Sequence, residues 1–150
     1  MSKIPVKLNI VGKQNYVGQD PDTIELLTDG YMERRGDVWE IAYEESELTG
    51  LEGVTSIFRV SPRGVTLRRT GRLQSQMIFQ EGKRHESLYQ MEFGTLMITV
   101  CARNIHYDLS ATRPGTVDLT YGIEIEAAAA GTVEYHLDVT PRNENERAAL

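Results

Sequence analysis

One cysteine, Cys101, stands in the 150 residues, so no disulfide can form within the chain and a reducing compartment is the expectation. Basic charge is also scarce. Sixteen Lys and Arg against 22 Asp and Glu leave a net charge of −6, the wrong sign for a surface that neutralises phosphates, so no nucleic acid partner is expected. No apolar window of about 18 residues occurs, and Met1-Ser2-Lys3-Ile4-Pro5-Val6-Lys7 lacks an apolar stretch of signal length. These absences point to a soluble, unexported, cytoplasmic protein with no membrane contact. They also weigh against an outer-membrane barrel, which must be exported.

Catalytic signatures are missing as well. His85, His106 and His136 lie far apart, and with a single cysteine there is no close His/Cys ligand set, so no metal is expected. The glycines fall at turns and form neither a phosphate-cradling loop, nor a dinucleotide fingerprint, nor a nucleophile elbow. No cofactor and no catalytic residue are expected, and a non-enzyme is the preferred reading. Cys101 shares parity with Met97, Thr99 and Arg103, opposite the apolar row Leu96, Ile98 and Val100, and reads as inert.

What the chain does have is alternation. With 40% hydrophobic and 25% charged residues it has ordinary globular composition. A chain of this length buries about two-thirds of its unfolded surface around one core. Apolar and polar residues alternate with period two in one segment after another, and no long helical stripe competes. The spacing predicts strands over Ile4–Ile10, from Ile24 and Leu26 onward, and over Val38–Glu45, Val54–Val60, Val65–Thr70, Met77–Gln80, His85–Phe93, Leu96–Arg103, Val117–Ala127 and Val133–Thr140. Ser61-Pro62-Arg63-Gly64 is a type I turn signature. Arg34-Arg35-Gly36-Asp37 is likewise a hairpin turn, its Arg-Gly-Asp having no adhesion role in an unexported chain. Ala127–Ala130 is too short for an isolated helix and reads as a turn or bulge.

About ten strands with short connections predict an all-β antiparallel meander. A meander of that length closes into a barrel, of about 8–10 strands, to remove its edges; a two-sheet sandwich is the structural alternative. The barrel is expected to occupy residues 1–140 as a single domain. Residues 141–150 form a polar tail that frays or makes a short helical turn.

Residues two apart share a face, so the apolar rows nominate the interior. These rows are Trp39-Ile41-Tyr43-Glu45, Val65-Leu67-Arg69, Tyr89-Met91-Phe93, Val117-Leu119-Tyr121-Ile123-Ile125 and Val133-Tyr135-Leu137-Val139. Glu44 and Glu45 then point to opposite faces and cannot work as an acid and base pair. Glu47 and Glu52, in a loop with Gly50 and Gly53, lack the pattern of a calcium loop. Glu45 and Arg69 each end an inward row in a charge, which needs a partner or water. They are expected to approach one another near a barrel mouth, or else Arg69 binds an anionic ligand. Leu27, Ile57, Ile78 and Met97 place apolar groups on the outer face, covered either by a second copy or by the chain's own loops and tail.

Gly30-Tyr31, Tyr43-Glu44-Glu45, Arg69-Thr70-Gly71, Tyr89 followed by Phe93-Gly94, and Tyr121 in a late strand resemble the YwiB-like family, from about Val6 to Thr140. That family is a bacterial domain of unknown function. The resemblance implies a calycin-like, lipocalin-like β-barrel in a small cytoplasmic protein, and it brings no activity, cofactor or catalytic residue with it. The reading reached from the residues is a binding module. Its barrel mouth, lined by Tyr43, Glu45, Arg69, Tyr89 and Tyr121, accepts a small, partly apolar or anionic molecule. The alternative is a packed scaffold acting through protein contacts, with a homodimer as one form.

Overall fold

The computed structural model describes residues 3–142. Ten strands follow one another: β1 (Ile4–Tyr16), β2 (Asp22–Arg35), β3 (Val38–Glu44), β4 (Val54–Ser61), β5 (Gly64–Gly71), β6 (Ser75–Phe79), β7 (Arg84–Met91), β8 (Gly94–Asp108), β9 (Gly115–Ile125) and β10 (Ala128–Pro141). A 3-10 turn, Glu47–Thr49, interrupts the β3–β4 loop. Every strand pairs antiparallel with its neighbours in the order β6-β5-β4-β3-β2-β1-β10-β9-β8-β7. The chain thus forms an all-β, nearly closed barrel. β1 pairs β10 from Val6 with Pro141 to Tyr16 with Gly131, which joins the first strand to the last. The remaining seam, between β6 and β7, is bridged at Gln74 and Gln90.

Alternation gives each strand one dry face. Val6, Leu8, Ile41, Phe58, Val60, Val65, Leu67, Phe79, Leu119 and Leu137 are almost wholly buried and belong to one core. Burying each such large side chain contributes roughly 1.5–3 kcal/mol, which offsets the entropy lost in ordering the strands. All of them lie toward the end of the barrel that carries the β2–β3, β4–β5 and β8–β9 turns.

Three local expectations change. β1 runs on to Tyr16, beyond Ile10, because its register with β10 carries it through the polar stretch Lys13-Gln14-Asn15. Phe93 is not an inward residue: it is 87% exposed in the turn between Met91 and Gly94, where strand parity no longer applies. At Ala127–Ala130, where a turn or bulge was expected, Ala127 lies in a turn and Ala128 to Ala130 open β10, with a register shift between Ala129 and Gly131. The turn there is Glu126-Ala127, both left-handed at φ 52° and 66°, as a two-residue hairpin of the mirror-image type requires. β10 reaches Pro141, the first residue of the tail expected over 141–150, and residues 143–150 of that tail lie outside the described residues.

Candidate functional site

The other half of the barrel is hollow. A cavity of about 320 Å3 lies among the inward residues near the β1–β2, β7–β8 and β9–β10 turns, and Thr49 and Leu51 of the β3–β4 loop bend over it. Its volume is at the small end of the range for small-molecule sites. The five residues nominated from sequence, Tyr43, Glu45, Arg69, Tyr89 and Tyr121, all line it. Apolar side chains such as Ile24, Leu26, Met91, Leu96 and Ile125 supply much of the remaining wall.

Aromatic rings floor the cavity. Phe79 packs 4.5 Å from Tyr121, and Phe58 meets Tyr135 edge-on at 6.0 Å, ring centre to ring centre. Tyr121 and Tyr135 lie side by side at 6.4 Å. Gly12 faces the Tyr135 ring, and a Cβ there would sit 3.3 Å from it, so the absence of a side chain on β1 leaves the ring its place.

Arg69 is the centre of the polar network. Register places Tyr43 beside Ser56, Ser56 beside Arg69, and Arg69 beside Ser75, one row across β3, β4, β5 and β6. The two serines are short and leave room for the long Arg69 side chain. Its Nε donates to Ser56 Oγ at 3.3 Å, Nη1 to Tyr89 Oη at 3.1 Å and Nη2 to Tyr135 Oη at 3.2 Å. Ser56 Oγ in turn donates to Glu45 Oε2 at 2.6 Å, and Thr49 Oγ1 donates to Glu45 Oε1 at 3.0 Å.

The expected direct approach of Glu45 to Arg69 is therefore corrected. No carboxylate lies within ion-pair distance of Arg69 among the described residues, and the two charges communicate through the Ser56 hydroxyl. The reason is topological: β4 lies between β5, which carries Arg69, and β3, just past whose end Glu45 stands. Glu44, the neighbour of Glu45, is exposed on the outer face.

Burial opposes the Arg69 charge, and the surrounding phenols, Tyr135 foremost, more than compensate and hold it cationic. Burial pushes the Tyr43 and Tyr121 phenols well above the usual 10.0. The Glu45 charge adds to this at Tyr43, and in both cases Arg69 opposes it. Tyr16 is raised too, first by burial and then by Tyr135 and Tyr89. Tyr16, Tyr43 and Tyr121 therefore stay protonated. Ser56, Thr49 and Tyr16 also belong to the site and were not nominated from sequence, while Tyr135 was placed inward but not at the mouth. Tyr135 was readable from its inward row and Tyr16 from the parity of Ile10, Gly12 and Gln14, whereas Ser56 and Thr49 carry no signal until register and loop path are known.

Elsewhere the chemistry is thin. Among the described residues no three His, Cys, Asp or Glu side chains converge on a point that could hold a metal. No helix among them is long and apolar enough to cross a membrane. His136 lies on the outer wall between Asp118, at 2.6 Å, and Asp138, at 3.0 Å. Cys101 is free and half-buried.

A family model described as "Domain of unknown function (DUF1934)" matches residues 8–137. The chain belongs to that family. Among solved structures, the crystal structure of the ywiB protein from Bacillus subtilis is similar to it, with a TM-score of 0.81 over 94% of each chain and 20% sequence identity. At that identity the likeness shows the shared fold alone, the barrel of a YwiB-like domain. No curated protein matches the chain. The family description assigns no activity, so any function is argued from the cavity.

Proposed function

We propose that this family member is a binding module whose hollow half takes up a small, partly apolar, singly charged anion. One observation carries the reading: Arg69 is 6% exposed, lines the cavity, and has no carboxylate partner among the described residues. A buried cation held only by neutral oxygens is costly to maintain, and a ligand anion would repay that cost. Three of its five N–H groups are used, at Ser56, Tyr89 and Tyr135, which leaves two. The Tyr89 and Tyr135 oxygens accept from Arg69, so their own protons are free to donate. Glu45, one hydroxyl away, makes a second ligand charge unfavourable. The apolar wall suits an aliphatic or aromatic body.

Calorimetric titration with octanoate, and with octanol as its uncharged counterpart, tests this. Octanoate is expected to bind the more tightly. Arg69→Met is expected to weaken octanoate by about 10- to 100-fold, the range of hydrogen bonds to a buried charge, with little change for octanol. No heat with octanoate, together with no retained small molecule in native mass spectra of protein purified from cells, would reject the module. A cavity at one end of the barrel also supports a lipocalin-like classification. The lone unpaired Cys101 supports a cytoplasmic location.

A second reading, self-association, is favoured by a different observation. Leu88 and its register partner Met97 are exposed on the outer wall, and so is Ile78 on β6, the strand across the seam from β7. A homodimer through this patch predicts a size that grows with concentration in sedimentation, whereas a monomer throughout the micromolar range would remove it.

A further inference from the structure

β6 and β7 are joined at both ends of their shared edge and not between. Gln74 and Gln90 exchange both backbone hydrogen bonds, at 2.9 and 2.8 Å, and Lys83 N donates to Gln80 O at 3.0 Å. Among the described residues no ladder pairing joins the intervening parts of the two strands. The hairpin is splayed into a slit. A space of about 280 Å3 opens beside it, bordered by the outward residues Arg68, Gln74, Gln76 and Gln90 and also by the inward residues Arg69 and Ser75. Arg69 therefore lines both the slit and the main cavity.

Ser75 makes the slit more than a gap. It is 8% exposed, stands beside Arg69 in register, and its hydroxyl has no hydrogen-bond partner. Ser87, inward on the facing strand, also carries a buried hydroxyl without a partner. An unpaired buried hydroxyl contributes nothing to the fold and costs desolvation, so an oxygen brought in by a ligand would satisfy it.

We propose that the inner lip of this slit is the head-group subsite of the cavity, where the carboxylate of a small apolar acid lies against Arg69 and the Ser75 hydroxyl. The apolar body occupies the barrel, and the slit keeps the far side of the carboxylate hydrated, which lowers the cost of burying it. The neutral glutamines of the outer lip accommodate that water from either their amide or their carbonyl ends. This subsite rests on the cavity reading above.

Ser75→Ala and Ser75→Thr, titrated with octanoate and octanol beside the unaltered protein, test it. Ser75→Ala is expected to weaken octanoate about tenfold or more, the size of one hydrogen bond to a charged group, and to leave octanol unchanged. Its ligand-free thermal midpoint is expected not to fall. Ser75→Thr keeps the hydroxyl and is expected to retain octanoate. If the unaltered protein binds octanoate in an Arg69-dependent way and Ser75→Ala binds it equally well, the cavity reading stands and the subsite is wrong. A ligand-free midpoint that drops in Ser75→Ala would make the hydroxyl structural and overturn the subsite too. If octanoate fails to bind the unaltered protein, the cavity reading falls first and takes the subsite with it.

Discussion

The two halves of this barrel are built by the same strands and differ in what their inward rows carry. Along β3 the row runs from Trp39 and Ile41 to Tyr43; along β5 from Val65 and Leu67 to Arg69; along β9 from Val117 and Leu119 to Tyr121. At the first end Trp39 and the aliphatic and phenylalanine side chains fill the interior. At the second, phenols and charges replace them, and a side chain that must keep its polar tip hydrogen-bonded cannot collapse onto its neighbours as leucine can. The cavity is thus a consequence of row composition, with no change in strand number or pairing. Phe58 and Phe79, beneath Tyr135 and Tyr121, mark the boundary.

The sharpest way to break that contrast is to remove apolar bulk from each side. Phe58→Ala, at a wholly buried position, opens a new void and is expected to cost about 3–5 kcal/mol in urea unfolding. Ile123→Ala enlarges a space that already exists, so its cost is expected at the low end of such changes, about 2 kcal/mol. Equal losses would mean that the hollow half is packed.

A smaller effect separates the polar half from an ordinary ion pair. Ser56→Ala takes a partner from both Glu45 and Arg69 and is expected to cost about 2 kcal/mol. Glu45→Gln and Arg69→Met should be energetically coupled in the presence of Ser56 and additive in its absence. Coupling that survives Ser56→Ala would restore a direct pair.

How much of this the chain discloses follows the same division. Period two located the core rows and the tyrosine rows, because parity is a property of a single strand and survives any choice of partner. Register is a property of pairs, so the bridging place of Ser56 between Glu45 and Arg69 could not be read until β4 was seen to lie between β3 and β5. Parity also fails where strands end: Phe93 continues the rhythm of Tyr89 and Met91, yet the chain has already turned. The slit at Ser75 depends on pairings that do not form, and these leave no mark on composition.

The smallest effect belongs to the outer wall, where the two halves do not differ. Hydrogen bonding to Asp118, reinforced by Asp138, raises the His136 pKa above its ordinary 6.5. The folded state therefore binds a proton more tightly than the unfolded one. Its stabilisation is complete below the ordinary value and is lost as pH rises through the raised one. Because the imidazole is partly exposed to solvent, the loss is expected to stay below about 1 kcal/mol and to shrink with added salt. Urea midpoints of the unaltered protein and His136→Gln, compared below and above the titration, should converge at the higher pH. Arg69, inside the barrel, keeps its charge across the same range. A pH dependence that persists in His136→Gln would have to arise elsewhere, and one that vanishes on Arg69→Met would move its source from the outer wall into the cavity.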